Sequence, residues 1–278
     1  MTGSPSAGPA GDAWPSLLEI LELEEIDRDL YRNTTLLEQE GPLYGGQVAA
    51  QALLAAGRTL PQGWLPHSLH GYFLRRGDAG RPTVFSVERD RDGRSFAARR
   101  VVAVQGGEVI LNMSASFSVA DGDDDLQVQT APDVPGPEGL PAAQLHPMPD
   151  IELRRPPQRY EQGPYPAQVW VRCQAELPDD PLLHAGVLTY VSDASSGLGP
   201  LVERVEEVGA SLDHVVWFHR PVRMDEWVLM DHIPHSVAHR RGWYTGSLWT
   251  ADGRLAASLA QEQLFRGPAR PLPPAATR

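Results

Sequence analysis

The chain has 278 residues and a net charge of −12, with 41% hydrophobic and 22% charged residues. This length allows two domains of ordinary size, and the acidic balance argues against general nucleic-acid binding, which requires a basic face. All 24 basic residues are Arg, which excludes chemistry that depends on a lysine amine, such as Schiff-base formation or a phosphate-binding P-loop.

The N-terminal residues 1–15 are rich in Gly, Ser, Pro and Ala and lack the basic start and apolar run of a signal peptide. We interpret them as a disordered leader and expect a cytoplasmic protein. No membrane span is expected, because no run approaches the roughly 18 apolar residues that a span requires. The single cysteine, Cys173, excludes an internal disulfide, and its alternating apolar neighbours predict a buried structural thiol.

Residues 16–120 are predicted to form a first folded unit of helix and antiparallel sheet. Ser16 and Glu19 have capping-box spacing, which predicts a helix over residues 16–29. The Ala-rich segment 44–57 predicts a second, closely packed helix. Alternating β-rich runs then predict four strands, over residues 67–74, 83–89, 95–105 and 109–119.

The composition changes in the segment that follows this unit. Residues 121–165 begin with an acidic run and are rich in Pro and Gly, so we interpret them as a linker without a packed core of its own. A second unit is predicted over residues 166–266, followed by a flexible tail over 267–278. Its predicted elements are a strand around Cys173, a helix over residues 185–193, and strands over 212–220, 227–233, 241–250 and 255–265.

Two recurring motifs indicate that the second unit is a copy of the first. Residues 68–70 (Ser-Leu-His) precede 72–75 (Tyr-Phe-Leu-Arg), and residues 211–213 (Ser-Leu-Asp) precede 217–220 (Trp-Phe-His-Arg). A glycine-containing hairpin turn follows each motif at a similar distance. The sequence therefore predicts an α+β protein made of two tandem units, each a helix with an antiparallel sheet around it.

Only the second unit has a polar trio suited to catalysis, namely Asp193, Ser211 and Gln261. From pattern alone each residue has a structural interpretation as well. Asp193 could cap a turn after its helix, Ser211 could bond to nearby backbone, and Gln261 could face solvent. The arginine clusters at 75–76, 99–100, 220–223 and 240–241 could bind phosphate or pair with surface carboxylates. The pair His235 and His239 lacks the pattern of a zinc site.

Several segments, in the right order, resemble the type II acyl-CoA thioesterases. These are residues 44–47 (Tyr-Gly-Gly-Gln), 67–75, 91–96, 210–214 (Ala-Ser-Leu-Asp-His), 217–221 and the pair Gln261-Glu262. The resemblance runs from about Leu17 to Arg266. It implies a double hotdog fold, in which two tandem hotdog units form one pseudo-dimer.

The resemblance also implies a site and a substrate. Asp193, Ser211 and Gln261 match the positions that hold the hydrolytic water in this family, with Asp193 as general base. We therefore expect hydrolysis of acyl-CoA without a cofactor or a metal, and a homo-oligomer, either a dimer or a tetramer. Gln263 departs from the pattern, because the family commonly has Gly after Gln-Glu, and Arg76 stands where the family usually has Pro.

Three alternatives stay open at this level. The first is a hotdog hydratase or dehydratase, although the Asp-x-x-x-x-His pattern fails because Leu198 is the fifth residue after Asp193. The second is a non-catalytic double hotdog that binds or displays acyl thioesters. The third is a thioesterase whose substrate is attached to acyl carrier protein.

Overall fold

The computed structural model describes residues 14–37, 41–119, 125–143, 145, 148–160 and 163–268. Residues 1–13 of the expected leader, 269–278 of the expected tail and 121–124 of the acidic run lie outside the described residues. In the described part of the chain, no helix is long and apolar enough to cross a membrane.

The first half consists of a short helix, a longer central helix and six antiparallel strands. The helices are α1 (Leu17–Leu21) and α2 (Gly45–Arg58), and the strands are β1 (Leu23–Asp27), β2 (Leu30–Asn33), β3 (Trp64–Phe73), β4 (Val84–Asp92), β5 (Phe96–Gln105) and β6 (Glu108–Val119). Neighbouring strands pair in the order β1-β2-β4-β5-β6-β3. The sheet packs on α2, of which eleven residues are buried.

The second half repeats this arrangement. Its helix is α3 (Pro181–Ser192), and its strands are β7 (Ile151–Arg154), β8 (Gln168–Cys173), β9 (Val208–Ser211), β10 (Asp213–Phe218), β11 (Val228–Ala238), β12 (Arg241–Thr250) and β13 (Leu255–Phe265). The order β7-β8-β11-β12-β13-β10 matches the first half strand by strand, and β9 is an addition that pairs with β13. Antiparallel pairing of β3 with β10 joins the halves into one sheet, which confirms the double hotdog prediction.

The helix predicted over residues 16–29 is wrong beyond its first turn. The capping box is present, because the Ser16 amide donates to Glu19 Oε2 at 2.7 Å and the Glu19 amide donates to Ser16 Oγ at 3.3 Å. The helix nevertheless ends at Leu21, and the chain turns into the β1–β2 hairpin. Asp29 adopts a positive φ of 59° in that turn, a conformation that Asp tolerates better than most residues.

The segment interpreted as a linker packs on the second half. Strand β7 lies inside it and pairs with β8, and Trp170 Nε1 donates to the carbonyl oxygen of Pro135 at 2.9 Å. Asp125, the described end of the acidic run, forms ion pairs with Arg220 and Arg254. Trp170, Leu229 and Trp249 form a small apolar cluster under residues of this segment.

The two central helices pack antiparallel, with glycines at the contacts. A Cβ on Gly46, near the start of α2, would lie 2.3 Å from the carbonyl oxygen of Tyr190, near the end of α3. At the opposite ends of the two helices, a Cβ on Gly57 would lie 2.5 Å from the Leu182 side chain. The start of α2 therefore lies beside the end of α3, where the predicted site begins.

Candidate active site

Asp193 is the C-cap residue directly after α3, and its side chain points to the predicted partners rather than to a following turn. It adopts φ −96° and ψ 7°, and its amide donates to the carbonyl oxygen of Val191. The apolar helix α3 places this half-buried carboxylate at the inner face of the second half of the sheet. Its Oδ1 accepts hydrogen bonds from Ser211 and Gln261, so the interpretation of Asp193 as a turn cap is not supported.

The structure brings the three predicted residues into direct contact. Gln261 Nε2 donates to Asp193 Oδ1 at 2.8 Å and to Ser211 Oγ at 2.5 Å. The Ser211 hydroxyl donates to the same Asp193 Oδ1 at 3.3 Å. Gln261 is 1% exposed, because alternate residues of β13 face the core, so it does not face solvent. One helix end and two strands therefore converge on one carboxylate oxygen.

Further polar residues surround the trio. From the sequence, Gln263 was noted only as a departure from the family pattern, and neither it nor His214 was placed in the site. Gln263 Nε2 donates to Ser211 Oγ at 3.2 Å, and its Oε1 accepts from the Ser196 hydroxyl at 2.6 Å. His214 Nδ1 lies 2.5 Å from Gln261 Oε1. A usable signal existed for Gln263, because a second Gln at i+2 on the same strand must share the face of Gln261.

The start of α2, in the first half, borders the trio in the second half. A Cβ on Gly45 would lie 2.5 Å from Asp193 Oδ2, so a larger residue there would meet the carboxylate. The Tyr44 hydroxyl donates to the carbonyl oxygen of Tyr190 at 2.7 Å, which ties this segment to α3. The site is therefore composite, with residues from both halves.

Two tyrosines, the partly buried Tyr44 and the fully buried Tyr244, border the carboxylate and stay protonated. Burial, followed by the negative charge of Asp193, raises the pKa of Tyr44 well above its usual value. The pKa of Tyr244 is raised in the same way by burial and then by Asp193 and Asp213. Both phenols are therefore neutral at physiological pH and add no negative charge beside Asp193.

The predicted arginine clusters mostly form ion pairs. Arg99 is 1% exposed, pairs with Asp92 and also donates to Thr59 Oγ1 at 2.6 Å inside the first half. Arg75, Arg100, Arg220, Arg223 and Arg241 pair with carboxylates. Within the described part of the chain, Arg76 and Arg240 are exposed and have no carboxylate in salt-bridge range.

Comparison with known proteins identifies both halves of the chain. Residues 38–118 match the acyl-CoA thioesterase N-terminal domain, and residues 125–265 match the acyl-CoA thioesterase C-terminal domain. Human acyl-coenzyme A thioesterase 8 is 34% identical over 93% of this chain and 91% of its own length. Acyl-CoA thioesterase 2 of Haemophilus influenzae is 33% identical, over 92% of this chain and 98% of its own length.

A solved structure supports the same assignment over the whole fold. The crystal structure of an acyl-CoA thioesterase II from Mycobacterium marinum is 43% identical to this chain, with a TM-score of 0.76. The match covers 92% of this chain and 98% of that one. Both sequence halves and the complete double hotdog therefore show that the chain belongs to the type II acyl-CoA thioesterase family.

Proposed function

We propose that this protein hydrolyses fatty acyl-CoA to free fatty acid and CoA, using a water molecule activated at Asp193 and no covalent intermediate. The supporting observation is the convergence of Ser211 and Gln261 on Asp193 Oδ1, at 3.3 and 2.8 Å. Membership of the acyl-CoA thioesterase family supports acyl-CoA as the class of thioester.

The two oxygens of Asp193 have different surroundings, which suggests different tasks. Oδ1 accepts hydrogen bonds from Ser211 and Gln261. Oδ2 faces the start of α2, where Gly45 lacks a side chain and leaves room. We assign Oδ2 as the oxygen that takes a proton from the attacking water, while Ser211 and Gln261 hold the carboxylate and border the water. General-base assistance of this kind contributes about 10²–10⁴-fold.

The rest of the reaction needs a donor for the oxyanion and a good leaving group. The water oxygen adds to the thioester carbonyl carbon, and the C–S bond then breaks to release the CoA thiolate, which ends protonated as the thiol. The first amides of α2, at Gly45 and Gly46, have no intrahelical acceptor and lie at the positive end of a helix dipole. We assign them as donors to the tetrahedral oxyanion.

The first test measures thiol release from acyl-CoAs of increasing chain length, with wild type compared with Asp193→Asn. We expect kcat to fall about 10²-fold or more in Asp193→Asn, because the amide cannot accept the proton. Asp180→Asn is the matched control at the other end of α3. Asp180 Oδ1 accepts from the Leu182 amide at 3.0 Å, and Asn caps helices equally well, so near wild-type rates are expected.

Three results would contradict the proposal. Equal rates in wild type and Asp193→Asn would remove Asp193 from the mechanism. A stoichiometric burst of thiol before the steady state, lost in Ser211→Ala, would indicate an acyl-serine intermediate. Release of thiol from acyl carrier protein thioesters but from no acyl-CoA would exclude acyl-CoA as the substrate.

A further inference from the structure

We propose that His214 is a positioning residue that holds the amide of Gln261 with its NH₂ group towards Asp193 and Ser211. The inference rests on the proposed thioester hydrolysis at Asp193. The ring nitrogens of His214 contact Gln261 and Ser192 rather than Asp193 or Ser211, so His214 acts on the trio through Gln261.

The sheet places the two side chains opposite each other on the inner face. Val215 of β10 pairs with Ala260 of β13, and one step along this antiparallel register brings His214 opposite Gln261. Both residues are 1% exposed. In a buried position a polar side chain without partners costs about 1–3 kcal/mol, so the partners that these two side chains find decide how they are oriented.

The orientation of the Gln261 amide follows from its partners. An ionised carboxylate only accepts hydrogen bonds, so the group 2.8 Å from Asp193 Oδ1 must be the NH₂. The two hydrogens of this NH₂ serve Asp193 and Ser211. The carbonyl oxygen, Oε1, therefore faces His214 Nδ1 at 2.5 Å.

The same constraint fixes the proton on the histidine ring. Because Gln261 Oε1 is an acceptor, His214 Nδ1 must carry a hydrogen and donate it. At the other end of the ring, Nε2 lies 2.8 Å from the hydroxyl oxygen of Ser192. Ser192 is the last residue of α3 and precedes Asp193, so the ring connects Gln261 to the helix end that carries the general base.

This arrangement penalises a flipped amide at both ends. A flip would place Oε1 against the Asp193 carboxylate and the NH₂ against the Nδ1–H of His214. If His214 lacked its donor, only the repulsion between Gln261 Oε1 and the Asp193 carboxylate would disfavour the flipped amide. Gln261 Oε1 would also lose its partner in a buried position, so the amide would rotate and release Asp193 and Ser211.

The test compares His214→Asn with His214→Leu, two side chains of the same branched shape. The Asn amide nitrogen can occupy the place of Nδ1 and donate to Gln261, whereas Leu has no donor. We expect kcat for acyl-CoA hydrolysis to stay within about threefold of wild type in His214→Asn and to fall about tenfold or more in His214→Leu. KM should change little in either variant, because His214 does not touch the substrate.

A second measurement keeps the inference testable if His214→Leu fails to fold. Nitrogen NMR of the ¹⁵N-histidine-labelled wild-type protein reports which ring nitrogen carries the proton, and the His214 signal is assigned by its loss in His214→Asn. We expect a protonated Nδ1. An unprotonated Nδ1, or equal kcat in the Asn and Leu variants, would overturn the role of His214. Wild-type protein that releases no thiol would instead overturn the proposed function, whatever the NMR result.

Discussion

His232 is a second buried histidine near the site, and it makes folding sensitive to acid. It is fully buried, and among the described residues neither ring nitrogen has a hydrogen-bond partner. Burial, with a smaller effect of His214, lowers its pKa from 6.5 to about 4. The folded protein therefore binds this proton less readily than the unfolded chain does.

The direction of the pH effect follows from linkage. Because the folded-state pKa of His232 is depressed, the unfolding free energy has its full value above pH 6.5. It decreases as the pH falls from 6.5 towards 4, because the unfolded chain then binds the proton more readily. We expect this group to cost about 3 kcal/mol of unfolding free energy across that window. Urea unfolding at about pH 7.5 and about pH 4.5 gives the loss of unfolding free energy on acidification. We expect this loss to be smaller for His232→Leu than for wild type.

A control on the same strand separates this effect from general acid sensitivity. His235 is exposed on β11, so His235→Leu should keep the wild-type pH dependence. If His232→Leu and wild type lose the same free energy on acidification, burial of His232 does not cause the acid sensitivity.

The family resemblance named the members of the trio but not the contacts that orient it. Asp193, Ser211 and Gln261 could be named from motifs, and the structure brings them together. The position of His214 next to Ser211-Leu212-Asp213 gave no indication of its partner, because that partner comes from register with β13, 47 residues away. Side-chain contacts across strands depend on register, which local sequence does not encode.

At the level of elements, the close contact between α2 and α3 depends on glycine. A Cβ on Gly46 would lie 2.3 Å from the backbone oxygen of Tyr190, and backbone cannot rotate away as a side chain can. Ala usually favours a helix over Gly by about 1 kcal/mol. Here the steric conflict should outweigh that gain, so the helices must separate.

We expect Gly46→Ala to lower the unfolding free energy by about 1–3 kcal/mol, measured as a lower urea midpoint with an unchanged slope. Gly41→Ala is the matched control, because a Cβ there has no atom within 4 Å. Stability in Gly46→Ala equal to that of the control would show that α2 and α3 tolerate a wider separation.

The elements that were mispredicted failed for the same physical reason. The capping box at Ser16 correctly marked a helix start, but the helix end at Leu21 is set by pairing of β1 with β2. Strand β7 was also missed, because it is short and lies in a Pro-rich segment, and its pairing with β8 supplies what local propensity does not. In both cases strand pairing overrode the local propensity of the sequence.

At the scale of the whole molecule, the two halves share a core as well as a site. Leu69 of β3 pairs with Val216 of β10 where the two halves of the sheet join, and both are fully buried. The contact of α2 with α3 adds a second shared surface. Neither half can unfold without exposing these residues, so we expect one cooperative transition.

Val101→Ala tests this coupling from a strand far from the junction. Val101 of β5 is fully buried, and the loss of its methyl groups should lower the unfolding free energy by about 2 kcal/mol. Five of the seven tryptophans lie in the second half, at positions 170, 217, 227, 243 and 249. Tryptophan fluorescence therefore reports mainly on the half that does not contain the substitution.

If the halves are coupled, Val101→Ala should lower the urea midpoint measured by tryptophan fluorescence as much as the midpoint measured by circular dichroism. Val102→Ala, on the same strand but only partly buried, should shift both midpoints less. A fluorescence midpoint that stays at the wild-type value while the circular dichroism transition splits would mean that the halves unfold independently. In that case the start of α2 could leave Asp193 without global unfolding, and the composite site would be lost before the fold.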